Sequence, residues 1–185
     1  MEISLRKIYC FTSPVALLIV FVGCPSIRES QKKSALESQI TAAGIEIDSS
    51  LKRLDKLVET CTKPLQASVQ GKSTHLETPS EDLSDRCAPV IPAAVAYRDK
   101  IHKMLGLLDE ALRLSFSTDE HHRLEVGRRV WAIRDRENIE LQENVQCLMN
   151  PTSECWKHID ASFANLAKED QEACNLLSTI QKKCD

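Results

Sequence analysis

The feature that most constrains this chain is an apolar stripe that recurs every three or four residues from Ser34 to Leu65. Leu36, Ile40, Ala43, Ile47, Leu51, Leu54, Val58, Cys61 and Leu65 carry it, and the period predicts one continuous amphipathic helix. Such a helix cannot stand alone in water, because its stability comes from burying that face against a partner. The rest of the chain supplies three partners. A second stripe starts near Pro92 and runs through Val95, Ile101, Met104, Leu105, Leu108, Ala111 and Leu112, with proline tolerated in a first turn. A third helix opens at Ser117, where serine followed three residues later by Glu120 has the capping-box pattern. It reaches about Leu148 through Val126, Val130, Ile133, Leu141 and Val145. Asn150-Pro151 ends it, Thr152 or Ser153 can cap the next, and Trp156, Ile159, Phe163, Leu166, Ala173, Leu177 and Ile180 form the fourth stripe. Four stripes joined mostly by short connections predict an all-α, up-and-down four-helix bundle over residues 34–185, stabilised by disulfides. The exception is a long loop over 66–86, rich in Ser, Thr, Pro and Gly. Composition agrees, since aromatics at 4 % and only five glycines suit helices better than sheets, and 185 residues suit one domain.

The N-terminus has a different logic. Arg6 and Lys7 precede an uncharged run from Ile8 to Gly23, which ends in small residues before a polar stretch beginning at Ser26. This layout predicts a signal peptide over 1–25. A membrane anchor is the competing reading of the same run, but Pro14 interrupts it and a dense polar segment follows at once. Phe21-Val22-Gly23-Cys24 resembles the lipobox of bacterial lipoproteins, with Phe21 where that motif usually carries an aliphatic residue. The resemblance implies a lipidated Cys24, attachment to a membrane surface through it, and a tether over 26–33. Ordinary secretion, with cleavage after Ser26, is the alternative.

Eight cysteines occur, and Cys10 lies inside the removable segment. Once Cys24 is acylated or cleaved away, Cys61, Cys87, Cys147, Cys155, Cys174 and Cys184 remain. An even set in an exported chain reads as disulfides. A metal centre is disfavoured because no C-x-x-C pair occurs. If the helices run up and down, Cys61, Cys87, Cys147 and Cys155 fall near one end, which favours pairing Cys61 with Cys87 and Cys147 with Cys155. Cys174 and Cys184 would stand about 15 Å apart on an unbroken helix, too far for a bond. Either the chain turns back after Leu177 or these two pair elsewhere.

Motifs for chemistry are incomplete. Gly71-Lys72-Ser73 has the end of a phosphate-binding loop, but Gln66 stands where its first glycine belongs. Cys155-Trp156-Lys157-His158 lacks the second cysteine of a haem attachment, and Trp156 fits a core position better. His121 and His122 are adjacent, so on a helix they point about 100° apart and cannot share a metal. No nucleophile elbow of the G-x-S-x-G type is present. Arg123, Arg128, Arg129, Arg134 and Arg136 crowd the third helix, yet Asp119, Glu120, Glu125, Asp135, Glu137 and Glu140 answer them, the alternation of a salt-bridged face. The net charge of −3, which becomes −4 without the N-terminal segment carrying Glu2, Arg6 and Lys7, argues against nucleic acid. The sequence therefore predicts no catalytic residue, cofactor or metal. It predicts an exported helical protein that binds a protein partner, held at the cell envelope or released as a soluble ligand or inhibitor.

Overall fold

A computed structural model describes residues 27–70, 81–114, 117–150 and 152–180. It is all-helical: α1 spans Ile27–Gln70, α2 Glu81–Cys87, α3 Val90–Ala111, α4 Thr118–Met149 and α5 Ser153–Ser178. The four long helices follow the four stripes, and the short α2 is additional. α1 packs on α3, α3 on α4 and α4 on α5, while α2 touches both α1 and α4.

Residue order shows how each neighbouring pair is aligned. Gly44 on α1 lies opposite Met104 on α3, and Glu46 accepts from Lys103 at 3.1 Å. Asp135 of α4 accepts from Arg98 at 2.8 Å and meets His102 at 2.9 Å, and Asp109 pairs with Arg128. Arg129 faces Glu172 and Arg134 faces Asp170. Between α3 and α4, and between α4 and α5, one number falls as the other rises, so those neighbours are antiparallel. Among the described residues no substantial packing joins α1 to α5.

One apolar cluster joins α1, α3 and α4. Ile47, Val90, Ile101 and Leu124 are almost wholly shut from solvent, with Met104, Leu108, Trp131 and Val145 packed around them. α5 contributes chiefly Ile159 to this cluster, with Phe163 at its margin. Val126, Val130 and Ile133 of α4 are buried outside it. α4 is therefore covered on more than one side, which a single stripe does not anticipate.

Helix ends follow local chemistry. The Ser117 hydroxyl accepts from the Glu120 amide while the Glu120 carboxylate accepts from the Ser117 amide at 2.9 Å and hydroxyl at 2.8 Å, completing the capping box. Thr152 caps α5 by accepting from the Cys155 amide.

Several expectations need correction. α1 begins at Ile27, so residues 27–33 of the expected tether are helical and continuous with the stripe. It also continues past Pro64 to Gln70, and α2 occupies 81–87, so both ends of the loop expected over 66–86 are helical, and the stretch between them lies outside the described residues. A proline removes one backbone bond from a helix but does not end it where the flanking turns are held; here the Cys61–Cys87 pair anchors that end to α2. Val95, placed on the inner stripe, is 44 % exposed, because the α3 positions turned inward are Ala94, Tyr97 and Ile101.

Candidate functional site

The cysteines are the first chemistry-bearing residues that the fold brings together. Cys61 and Cys87 pair across α1 and α2 with Cα atoms 4.6 Å apart, and both are fully buried. Cys147 and Cys155 pair across the α4–α5 turn with Cα atoms 5.2 Å apart, and both are only half-buried. Both separations lie in the range a disulfide accepts. Cys147 also packs against the main apolar cluster that contains Cys61 and Cys87. Cys174 is half-buried on α5. Cys24 and Cys184 lie outside the described residues, as do Gly71, Lys72 and Ser73.

The second concentration of polar chemistry is the seam between α4 and α5. Arg134 donates through Nη1 to both oxygens of Glu137, at 2.9 and 2.6 Å, and through Nη1 and Nη2 to Asp170 at 3.2 Å. These three side chains are only 20 %, 16 % and 14 % exposed, so the cluster sits mostly out of water. Burial alone would lower the Arg134 pKa, but the two carboxylates outweigh it and hold the guanidinium above its ordinary value. Glu137 is pushed up chiefly by burial, against the opposing pull of Arg134. Further along, Ser162 is buried, donates to Glu140 at 2.7 Å and accepts from Asn144 at 2.8 Å. Arg136 donates to Glu169 at 2.6 Å. His158 stands 3.4 Å from Glu143 without a hydrogen bond at that nitrogen. Asn138 is buried and accepts from Gln142. The network is not closed, for Asn138 Nδ2, Asn144 Oδ1 and Glu169 Oε2 are buried with no hydrogen-bond partner among the described residues.

This geometry answers the question raised by the five arginines of α4. Arg123 pairs with Asp119, Arg128 with Asp109, Arg129 with Glu172, Arg134 with Glu137 and Asp170, and Arg136 with Glu169. Each guanidinium already has a carboxylate, as the alternation of charges predicts. The adjacent histidines line a shallow open depression with Thr118 and Glu125, and His121 lies 3.4 Å from Glu125. Among the described residues no group of three or more His, Cys, Asp or Glu side chains could hold a metal ion.

Trp156 is a correction. Placed on the inner stripe of α5, it is 38 % exposed beside Cys155 at the open end of the helix. The tryptophan that fills the core is Trp131, only 8 % exposed, which the α4 stripe omitted because it is adjacent to Val130 on a helix buried on two sides.

Compared with protein-family models, with curated proteins and with solved structures, the chain matches none. Among the described residues the structure defines a class: an all-helical protein with two disulfide-linked cysteine pairs, one joining α1 to α2 and one joining α4 to α5. No helix among the described residues is long and apolar enough to cross a membrane.

Proposed function

We propose that this chain is an exported, non-enzymatic helical protein that binds a protein partner at the cell envelope, attached there through a lipidated Cys24. The observation that carries the reading is the pairing of Cys61 with Cys87 and of Cys147 with Cys155 in a chain that opens with a basic and then an uncharged segment. Structural disulfides form and persist in oxidising compartments, and that N-terminal layout is how chains are addressed to them. The antiparallel order of the cross-helix ion pairs supports taking the four long helices as an up-and-down bundle. In such a bundle the outward faces are what a partner meets.

The test is intact mass on protein expressed with its own N-terminus, recovered separately from membrane and medium, before and after reduction. A chain that begins at acylated Cys24 and gains hydrogen on reduction supports the envelope reading. An unacylated, disulfide-bonded chain in the medium favours a secreted helical ligand or inhibitor. An unprocessed chain with every cysteine reduced overturns both.

A further inference from the structure

The two cysteine pairs differ in ways that go beyond their shared role as staples. Cys61 and Cys87 are completely excluded from solvent and belong to the apolar cluster that joins α1, α3 and α4. An attacking thiolate cannot reach a sulfur there without opening that cluster. Cys147 and Cys155 are half-buried at the margin of the fold, and the Cys155 sulfur lies 3.8 Å from the Asn150 carbonyl in the turn itself. Thiol–disulfide exchange depends on access to a sulfur as well as on thiolate chemistry.

What each pair holds also differs. Cys61–Cys87 closes a separation of 26 residues and fixes α2 onto α1. Cys147–Cys155 closes only 8 and fixes the start of α5 onto the end of α4. α4 is the one helix on which α5 packs substantially. Below the bridge their contact is held by the Arg134, Glu137 and Asp170 cluster and the Arg136–Glu169 and Arg129–Glu172 pairs.

We infer that Cys147–Cys155 is a reducible latch on α5, which opens while the α1, α3 and α4 core and its Cys61–Cys87 bridge stay intact. The co-reactant is a dithiol reductant. Its thiolate attacks one sulfur of the Cys147–Cys155 bond, which breaks as a mixed disulfide forms and the other cysteine leaves as a thiolate. The second thiol of the reductant then displaces the first cysteine. The reductant gives up two electrons and two protons and ends as a cyclic disulfide, and Cys147 and Cys155 end as thiols. With the latch open, α5 is held by its seam with α4 and by the burial of Ile159 and Phe163 at the core, and it becomes the helix that detaches most readily.

The test is graded reduction of the full chain with dithiothreitol under native conditions, after blocking pre-existing thiols with iodoacetamide. Thiols released at each concentration are trapped with N-ethylmaleimide and located by peptide mapping. Cys147 and Cys155 should be trapped first, with Cys61 and Cys87 still linked. In the sample reduced to that stage, amide hydrogen exchange within α5 should speed up by on the order of tenfold or more, while α1 and α3 keep their protection. A Cys147→Ala/Cys155→Ala variant, which needs no reductant, should show the same exchange pattern. Simultaneous release of both bridges, earlier release of Cys61 and Cys87, or unchanged exchange in α5 of that variant would each overturn the latch. Because the assay involves neither the lipid nor a partner, its outcome is distinct from that of the proposed envelope role.

Discussion

The interface of α1 with α3 and the interface of α4 with α5 are built from the same kind of helix but held by different physics. In the first, Ala43, Ile47, Leu54, Ala94, Ile101 and Met104 are buried against one another, and the charged residues stay at the margin, where Lys103 reaches Glu46. Apolar burial there is worth roughly 25 cal/mol per Å² and depends little on salt or pH. In the second, the buried positions include Asn138, Asn144 and Ser162 together with the largely enclosed Arg134, Glu137 and Asp170. Such groups break roughly even against their desolvation, and only while every partner is present. The comparison teaches that the same heptad-like spacing can code for a tolerant interface or a brittle one.

The widest separation between the two should come from removing a single group from each. Ile101→Ala should destabilise the whole fold by about 3 kcal/mol, since Ile101 is fully buried and leaves a cavity. Its unfolding transition in urea should move as one, with protection lost in α1, α3 and α4 together. Arg134→Ala should cost about 3 kcal/mol as well, by leaving Glu137 and Asp170 facing each other without their cation. Here the loss should concentrate in α5 and the second half of α4. A uniform loss of protection in Arg134→Ala would break the comparison.

The bridge over α2 gives the next effect. Replacing Cys61 and Cys87 by alanine should lower stability by about 3 kcal/mol on the chain-entropy argument for a closed stretch of this length, measured by urea unfolding against the parent. A smaller step is expected at the start of α4. Ser117→Ala removes the acceptor for the Glu120 amide and should cost about 1 kcal/mol. It leaves the buried Glu120 carboxylate without the Ser117 hydroxyl, near the Glu37 carboxyl of α1, which burial and Glu120 already push upward. Smaller still is Arg136→Ala, where a half-exposed guanidinium at the margin is lost and about 0.5 kcal/mol is expected.

How much of this was legible in the sequence follows from what each element depends on. The helices were, because the stripes of α1, α3, α4 and α5 have a regular period, and the Ser117 and Thr152 caps are short-range chemistry. The start of the loop was not, because Pro64 and the polar composition after it suggest a stop, while α1 runs on to Gln70. Val95 and Trp156 were misplaced for a related reason. A stripe identifies a face, but how wide that face is depends on how many neighbours a helix has, and α5 packs substantially on one helix where α4 packs on three. The seam was half legible. The alternation of arginines and acids on α4 foretold a paired surface, but not that Arg134 would meet Asp170, nor that this pairing would be largely enclosed.

Acid distinguishes the two interfaces most finely, and the direction runs against the usual view that acid loosens ion pairs. Glu137 lies above its ordinary value of 4.5, mainly through burial, with Asp170 and Glu169 adding to the rise and Arg134 opposing it. A carboxyl whose folded pKa exceeds its unfolded one binds its proton more readily in the folded chain. Its stabilising contribution is then complete below the unfolded pKa and is lost as pH rises through the folded one. Lowering the pH from neutrality toward 4.5 should therefore raise the contribution of Glu137 to holding the seam. Glu137→Gln removes this titration and keeps an acceptor for Arg134. The comparison to make is urea unfolding of parent and variant at several pH values. The parent should gain stability relative to the variant as pH falls through this window. A parent that instead loses stability relative to the variant on acidification would mean that Arg134, and not burial, governs Glu137, and that the seam is an ordinary ion pair.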